Sequence, residues 1–453
     1  MIYTLMHKNI KVIDIEINDD GKMTKCIKMH NHNHMPVGTY VDFDKVGIKK
    51  LNDWFINRTL PISREGYDML AKKLNINYPT VLPLKSYGLS LSDQYWLKEE
   101  NDSISWDDIN FFDNDFSLDL GDLLLSKYVL NKPYNLISPD SSSNGDLKKR
   151  WKIINGRRVL LKSGTKPYFY EVFNELIASK IMDRLDINHV KYYILEDDNN
   201  LYSACDNFIN SSKDLVPIYS LMQDYKMNNS ESFFNYFIRI LDSLNIDGYR
   251  EELDKMLFID YLIGNVDRHL NNFGLIRNAK TLEFEAIAPI YDSGSSLGYS
   301  LNDTELEYAF DLNWKPFKSN KIKTQLDLIK DFSWLDINKL NHVEDDILDV
   351  CLKYDEYISD KRRKALIKFI RKRVDYINDY LGTMKLRDSY YSKLDLKILD
   401  YAKINGIIES IDSLIPIVNK SHITIQRSIN KLVKVKVLER IGANKNGYWK
   451  YID

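Results

Sequence analysis

The chain has 453 residues, of which 44% are hydrophobic and 28% are charged, and its formal net charge at pH 7 is −2. This length exceeds what one core usually supports, so we expect two or three domains. No run of 18 or more apolar residues occurs and the N-terminus lacks a signal-peptide core, which argues against membrane insertion. The three cysteines are far apart and form no metal or disulfide pattern, so a reducing cytoplasm is expected.

Residues 1–130 are predicted to form an α/β subdomain. Alternation of apolar and polar residues predicts strands at Ile2–Leu5, Lys11–Ile17 and Lys22–Lys28, with a hairpin turn between the last two. Helical spacing is found at Leu51–Phe55 and Tyr67–Leu74. No chemical role follows from these residues alone.

A serine-rich segment, Ser141 to Gly145, opens the second region, residues 131–215, and precedes a Lys/Arg-rich run at 148–152. A flexible Ser/Gly loop between strands, with backbone N–H groups and nearby lysines facing phosphate, is what a nucleotide site needs. Because the segment holds a single glycine, an ordinary surface turn is equally consistent with it.

A predicted strand then ends at Lys162. A lysine on such a strand can pair with the α- and β-phosphates of a nucleotide. The helical pattern from Glu171 to Asp183 follows, and Glu175 lies on the same helix face as Glu171, so either could reach the lysine. Ordinary surface charges are the alternative interpretation of all three.

The stretch around residues 262–297 is the most informative. A helical pattern stops at Gly264, and a polar loop then carries Asp267 and Asn272, five residues apart. Two short predicted strands, 273–276 and 284–290, return the chain to Asp292. Phosphoryl transfer needs a carboxylate to accept a proton and oxygen ligands for Mg²⁺, which this set could supply. A polar hairpin whose Asp and Asn residues only make turns is the alternative.

The motifs N-x-D-R-H-x-x-N-F-G, from Asn265, and P-I-Y-D-S-G, from Pro289, resemble those of the HipA-like serine/threonine kinases, bacterial toxin-type relatives of the protein-kinase fold. The resemblance implies an α+β, bilobal protein-kinase-like fold that uses ATP and Mg²⁺. It makes Asp267 the catalytic base and Asn272 and Asp292 the metal ligands. For His269, a structural role that bonds the loop backbone and a catalytic role both stay open.

The resemblance also assigns the nucleotide-binding residues. Lys162 would orient the phosphates, and the N-E-L sequence favours Glu175 as its partner. Ser142, three residues before Gly145, would be the autophosphorylated serine of the loop, with Ser143 as second choice. The hinge that binds adenine is expected near Phe208.

Residues 216–384 are predicted to be a mostly helical large lobe, with patterns at 230–244, 249–263, 326–329, 344–354 and 360–381. Residues 391–453 show three helical patterns followed by two strands around a Gly/Asn turn, the order of a winged helix-turn-helix. This tail holds eleven Lys or Arg against six Asp or Glu residues, which permits DNA binding without requiring it, and protein docking is the alternative. The DNA-binding candidates are Thr424, Gln426, Arg427, Lys431 and Lys445.

The sequence therefore predicts a cytoplasmic ATP-dependent kinase that transfers phosphate to Ser or Thr of a protein substrate. Relatives of this kind often act as growth-arresting toxins silenced by an antitoxin protein that binds DNA, and the tail would let this chain regulate its own operon. A transcription regulator with a nucleotide-sensing pseudokinase region is the first alternative. A kinase for a sugar, lipid or antibiotic hydroxyl is the second.

Overall fold

The computed structural model describes residues 1–42, 45–125, 133–310, 312, 315, 317, 322–442 and 447–452. The fold is mixed α/β with several small antiparallel sheets. The chain divides into two compact units, one of Met1–Lys226 with Leu244–Arg371 and one of Met227–Ser243 with Lys372–Asp453. The finer division into residues 1–130, 131–215, 216–384 and 391–453 stays a prediction. Among the described residues, every helix is too short or too polar to cross a lipid bilayer.

The N-terminal region forms an antiparallel sheet with the strand order β3-β2-β1-β6. Alternate residues of β1 and β2 share one face, and Leu51 and Phe55 of α1 pack against that face. The predicted strands and helices are present with small changes of their ends. The elements are β1 (Ile2–His7), β2 (Ile10–Ile17), β3 (Met23–Met29), β4 (Tyr40–Asp42), β5 (Lys45–Val46), α1 (Ile48–Ile56), α2 (Tyr67–Leu74), α3 (Val81–Leu84), β6 (Tyr95–Glu99), α4 (Trp106–Ile109) and α5 (Asp119–Leu124).

The second region is a four-stranded antiparallel sheet, in the order β7-β8-β10-β9, with one long helix. Its elements are β7 (Lys149–Ile154), β8 (Arg157–Lys162), α6 (Tyr170–Arg184), β9 (Tyr192–Asp197) and β10 (Asn200–Asp206). The expectation that the Ser/Gly loop lies between two strands is wrong for the described residues. A 3₁₀ turn at Pro139–Ser142 precedes β7, and residues 133–148 contain no strand.

The third region combines a small sheet, β11-β12-β13, with several helices. The predicted second strand ends at Ile287 rather than at residue 290, and the pattern at 326–329 lies in a 3₁₀ helix, Ile322–Leu328. The elements are β11 (Lys213–Pro217), α7 (Ile218–Met222), α8 (Phe233–Ser243), α9 (Tyr249–Ile263), β12 (Gly274–Asn278), β13 (Phe284–Ile287), α10 (Asp303–Tyr308), α11 (Glu344–Lys353) and α12 (Asp360–Tyr390).

The C-terminal segment holds three helices and a three-stranded antiparallel sheet in the order β14-β16-β15. Ile398 of the first helix and Ile425 and Ile429 of the third form its core. Part of the predicted Gly/Asn turn, residues 443–446, lies outside the described residues, and the winged-helix assignment stays a prediction. The elements are α13 (Lys393–Asn405), β14 (Ile407–Ile408), α14 (Ile415–Val418), α15 (His422–Lys434), β15 (Leu438–Ile441) and β16 (Tyr448–Tyr451).

Candidate active site

The loop that carries Asp267 begins where α9 ends at Gly264. This glycine has a φ of +65°, and a Cβ atom there would lie 2.6 Å from Cζ of Phe369, so only glycine fits. Asn265 then fixes the turn. Its Oδ1 accepts a hydrogen bond from the backbone N–H of Asp267 at 3.1 Å, and its Nδ2 donates to Oδ1 of Asp260 at 2.9 Å.

Arg268 joins three segments of the site. Its guanidinium is buried and donates to both carboxylate oxygens of Asp260, in α9, at 2.9 Å. It also donates to the carbonyl oxygen of Asn272 at 2.8 Å, to that of Tyr291, and to Oγ of Ser293 at 3.2 Å. The loop and the segment after β13 are thereby fixed to α9. Sequence reasoning gave this arginine no role, although its place inside the D-R-H motif was a usable signal.

Asp267 and Asn272 are adjacent in the folded loop. Nδ2 of Asn272 donates to the carbonyl oxygen of Asp267 at 2.9 Å, and the Asp267 carboxylate forms an ion pair with Lys315 at 2.9 Å. His269 uses Nδ1 to accept the backbone N–H of Asn271 at 3.2 Å, and burial lowers its pKa. This contact corresponds to the structural role of His269, in which it bonds the loop backbone. A catalytic role of His269 stays a prediction.

Lys162, at the end of β8, contacts three side chains of the site. It is 6% exposed, and its Nζ lies 3.0 Å from Oε1 of Glu175, 2.9 Å from Oδ1 of Asp292 and 3.3 Å from the hydroxyl of Tyr192. Burial alone would raise the pKa of the Asp292 carboxyl, but the ammonium groups of Lys162 and its neighbour Lys149 hold it well below its usual range. Asp292 is therefore ionised at neutral pH.

The two glutamates of α6 have different partners. Glu175 contacts the lysine, whereas Oε2 of Glu171 accepts the backbone N–H of Thr165 at 3.1 Å. Gly294 allows the segment after β13 to approach this helix, since a Cβ atom there would lie 3.1 Å from Cγ of Glu175 and 3.2 Å from Cβ of Glu171. Because burial raises the pKa of Glu175, its charge depends on the nearby ammonium group.

Ser141 and Ser142 of the Ser/Gly loop are buried, whereas Asn144 is exposed. Ser142 is 8% exposed, and its hydroxyl donates to the carbonyl oxygen of Leu89 at 2.6 Å. The hydroxyl of Ser143 donates to the carbonyl oxygen of Asp140 at 3.1 Å. Gly145 has a φ of +101°, which a residue with a side chain adopts only with strain. Both serines and the glycine line the same cavity as Lys162.

Lys149 is a residue of the site that sequence reasoning did not single out. It pairs with Lys162 across β7 and β8, and its Nζ lies 2.7 Å from where a Cβ atom of Gly145 would stand. Burial, and then the positive charge of Arg64, lower the pKa of Lys149 to about 7. The Asn-Gly turn between the two strands fixes their register and was the signal that could have revealed this pairing.

A cavity of about 730 Å³ connects these groups. Asp267, Asn272 and Asp292 line it together with the Ser/Gly loop and Lys162. Phe208, the predicted hinge residue, also lines it, and its ring stacks on Tyr291 with centroids 5.6 Å apart. The apolar residues that line the cavity include Leu160, Val190, Leu215 and Val216.

The predicted metal ligands supply oxygen atoms. The amide nitrogen of Asn272 is used in its bond to the Asp267 carbonyl, which leaves the amide oxygen as its remaining polar atom. Asp292 contributes an ionised carboxylate. Mg²⁺ favours such oxygens and usually takes only one or two protein ligands, with waters and phosphates completing its shell, so this pair fits it. Among the described residues, no group of three or more His, Cys, Asp or Glu side chains could hold a metal ion.

Four of the five DNA-binding candidates lie on α15, in the second compact unit. Thr424 and Arg427 are exposed. Nε2 of Gln426 donates to Asn430 at 2.9 Å, and Nζ of Lys431 pairs with the buried Asp395 at 2.6 Å. Lys445 lies outside the described residues. Arg427 is therefore an exposed candidate, whereas Lys431 is held within its own unit.

The geometry of the first unit defines a cleft suited to a phosphorylated ligand and a hard cation, because ammonium groups and oxygen ligands line one cavity. The family model of the HipA-like C-terminal domain matches residues 143–370, which is half of the chain. The chain therefore belongs to the HipA-like C-terminal domain family. The matched range contains Lys162, Glu175, Asp267 and Asp292.

Three individual comparisons accompany the family match. Serine/threonine-protein kinase CtkA of Helicobacter pylori strain J99 is 28% identical over 158 residues, which cover 32% of this chain and 48% of CtkA. The chain thus spans about half the length of this curated relative. The crystal structure of the H. pylori proinflammatory kinase CtkA gives a TM-score of 0.40 at 18% identity, over 52% of this chain and 95% of that chain. A chain of the HipA, HipB and operator DNA complex of Shewanella oneidensis MR-1 gives a TM-score of 0.48 at 14% identity, over 83% of this chain and 99% of that chain.

We expect Arg268→Met to lower the free energy of unfolding by about 3–5 kcal/mol, because it leaves the carboxylate of Asp260 buried without its charged partner. Denaturant unfolding of the full chain, followed by circular dichroism, measures this loss. Arg157→Met is the matched control. Arg157 pairs with Asp206 on the surface, with its side chain 56% exposed, so its removal should cost about 0–1 kcal/mol. Equal small losses in both variants would contradict the structural role of Arg268.

Proposed function

We propose that the chain is an ATP- and Mg²⁺-dependent serine/threonine protein kinase of the HipA-like type. Residues 131–215 would form its small lobe and residues 216–384 its large lobe. The observation that carries the proposal is the contact of Lys162 with both Glu175 and Asp292, in a cavity that Asp267 and Asn272 also line. Membership in the HipA-like family supports the same conclusion.

Each residue has one role in the proposed reaction. Lys162, held by Glu175, orients the phosphates of the nucleotide, and Asn272 and Asp292 hold Mg²⁺. The metal, when bound, neutralises phosphate charge. Asp267 accepts the proton of the attacking Ser or Thr hydroxyl. Its carboxylate forms an ion pair with Lys315 at 2.9 Å and lines the cavity.

Ser142 is the proposed site of autophosphorylation. Its hydroxyl is buried and bonded to the Leu89 carbonyl in this structure, so the loop must move before the hydroxyl can react. A toxin role with an antitoxin partner is the finer part of the proposal and rests on family membership. CtkA is named a serine/threonine kinase, and the S. oneidensis HipA belongs to a toxin–antitoxin system.

We also propose that the C-terminal segment is a winged helix that binds DNA. Its three helices precede the β15–β16 pair, and α15 presents Thr424 and Arg427 at its exposed surface. Docking of a protein partner is the alternative. It is favoured by the exposed Ile415, Ile417 and Ile423, which also lie on α14 and α15.

We expect Asp267→Asn to lower phosphate transfer by about 10²–10⁴-fold, because the amide cannot accept a proton, while nucleotide binding persists. Transfer of labelled phosphate from ATP to protein, with mass spectrometry of the products, measures this loss. Asp198→Asn, an exposed turn position, is the control and should behave like the wild type. A wild-type protein that binds ATP without transferring phosphate would favour the nucleotide-sensing alternative. Label on a small molecule would favour the second alternative.

The affinity for ATP should depend on pH through Lys149, which lines the cavity and which we expect to contact phosphate. Its pKa of about 7 means that the ammonium loses its proton as pH rises through that value, so binding should weaken by at most about tenfold per pH unit, the limit for one proton. Lys149→Arg keeps its positive charge at every pH and should remove this pH dependence of ATP binding. Lys149→Met should bind weakly at every pH. Titration calorimetry from pH 6 to 8 measures ATP binding by the wild type and the two variants. The protonation of ATP itself affects all three proteins equally. Identical pH profiles would contradict a phosphate contact by Lys149.

If the tail binds DNA, its binding should weaken as salt rises, and Arg427 should contribute to that salt dependence. Arg427→Ala should weaken binding of the full chain to mixed-sequence duplex DNA and lower the slope of log K against log salt by about one. Lys397→Ala, an exposed lysine of α13, is the matched control. Fluorescence anisotropy over a salt series provides the measurement. No binding by the wild type at low salt would favour protein docking instead.

A further inference from the structure

The Ser/Gly loop is held from outside its own region by Arg64, which lies between α1 and α2. Nε of Arg64 donates to the carbonyl oxygen of Gly145 at 2.8 Å, and Nη2 donates to the same oxygen at 2.5 Å. Nη2 also donates to the carbonyl oxygen of Ser143 at 2.5 Å, and Nη1 donates to the Ser143 hydroxyl at 3.1 Å. One guanidinium therefore binds two carbonyl oxygens of the loop that lie two residues apart.

This arginine is buried and its own backbone is fixed. Arg64 is 2% exposed, its N–H donates to the carbonyl oxygen of Pro61 at 3.0 Å, and its carbonyl accepts from Tyr67 at 3.0 Å. Burial lowers the pKa of Arg64 to about 10, so it stays charged at neutral pH. Among the described residues it forms no ion pair with a carboxylate, so its bonds go to neutral oxygens of the loop.

The direction of these bonds determines where the loop N–H groups point. In a planar trans peptide, the carbonyl of one residue and the N–H of the next point in opposite directions. Because the carbonyls of Ser143 and Gly145 face Arg64, the N–H groups of Asn144 and Asp146 face away from it. Asn144, Gly145 and Asp146 all line the cavity that also contains Lys162.

We propose that Arg64 is a positioning residue for nucleotide binding, which turns the N–H groups of Asn144 and Asp146 toward the phosphates by holding the carbonyls of the loop. The inference rests on the proposed function and gives the N-terminal region a part in the site. Backbone N–H groups that face one concavity can bind an anion, which suits the phosphates of a nucleoside triphosphate. The N–H of Gly145, between the two, donates to Oδ1 of Asn144 at 2.6 Å. Arg64 itself touches no phosphate in this account.

Three other contacts in or beside the loop are made by side chains and not by the loop carbonyls. Oγ of Ser63 donates to the Asp146 carboxylate at 2.6 Å, Nδ2 of Asn144 donates to the Asn57 carbonyl at 2.9 Å, and Lys148 pairs with Glu65 at 3.1 Å. These bonds join side chains of the loop to the N-terminal region. They offer a matched control, because Ser63→Ala removes a neighbouring bond without releasing a carbonyl.

The test compares binding of ATP with binding of adenosine, which lacks phosphates, in the full chain. Arg64→Ala should weaken ATP binding by at least about tenfold, the magnitude of one charge-assisted hydrogen bond, and leave adenosine binding unchanged. Arg64→Lys should fall between this variant and the wild type, because a lysine cannot donate to both carbonyls in the fork geometry of arginine. Ser63→Ala should bind both ligands like the wild type.

Hydrogen exchange of the full chain gives a second readout that does not need activity. Residues 142–147 should exchange faster in Arg64→Lys, with β7 and β8 unchanged. If Arg64→Ala does not fold, Arg64→Lys alone carries the test. Parallel losses for ATP and adenosine, or no loss in either, would overturn the inference while the proposed function stands. A wild-type protein that binds neither ligand would overturn the proposed function and this inference with it.

Discussion

The candidate site depends on one buried ammonium group, that of Lys162, placed between the carboxylates of Glu175 and Asp292. The three groups come from different parts of the first unit: Lys162 from a strand end, Glu175 from a helix and Asp292 from the segment after β13. A buried charge is costly unless its partners are close and well oriented, so this contact is stable only when all three segments are correctly folded. The same condition leaves Asp292 ionised, with its pKa held low, and available to a cation.

Around this contact, buried arginines hold the irregular backbone in place. The five N–H donors of an arginine can satisfy several carbonyl oxygens at once, which is valuable where a loop has no helix or sheet to pair with. Arg268, Arg362 and Arg64 all do this within the first unit. Their carbonyl acceptors are Asn272 and Tyr291 for the first, Leu297, Gly298 and Leu301 for the second, and Ser143 and Gly145 for the third.

Much of the local structure was predictable because it depends on short-range patterns. The predicted strand that ends at Lys162 corresponds to β8, and the helical spacing from Glu171 corresponds to α6. The family motifs favoured Glu175 over Glu171, and the structure has Lys162 in contact with Glu175. The Ser/Gly loop was misjudged, because no local pattern reveals that Ser142 is covered by a residue from the N-terminal region. The roles of all these residues in a reaction stay proposals.

By itself the sequence determined the order of most strands and helices and the set of side chains with the chemistry for phosphate and Mg²⁺. Both follow from residue type and spacing, which act over a few neighbours. Only the tertiary structure decided which groups are buried and what they contact. Arg64 and Ser143 are 79 residues apart, and Lys162 and Asp292 are 130 apart. Such contacts arise when separate elements pack together, and no local pattern in the chain encodes them.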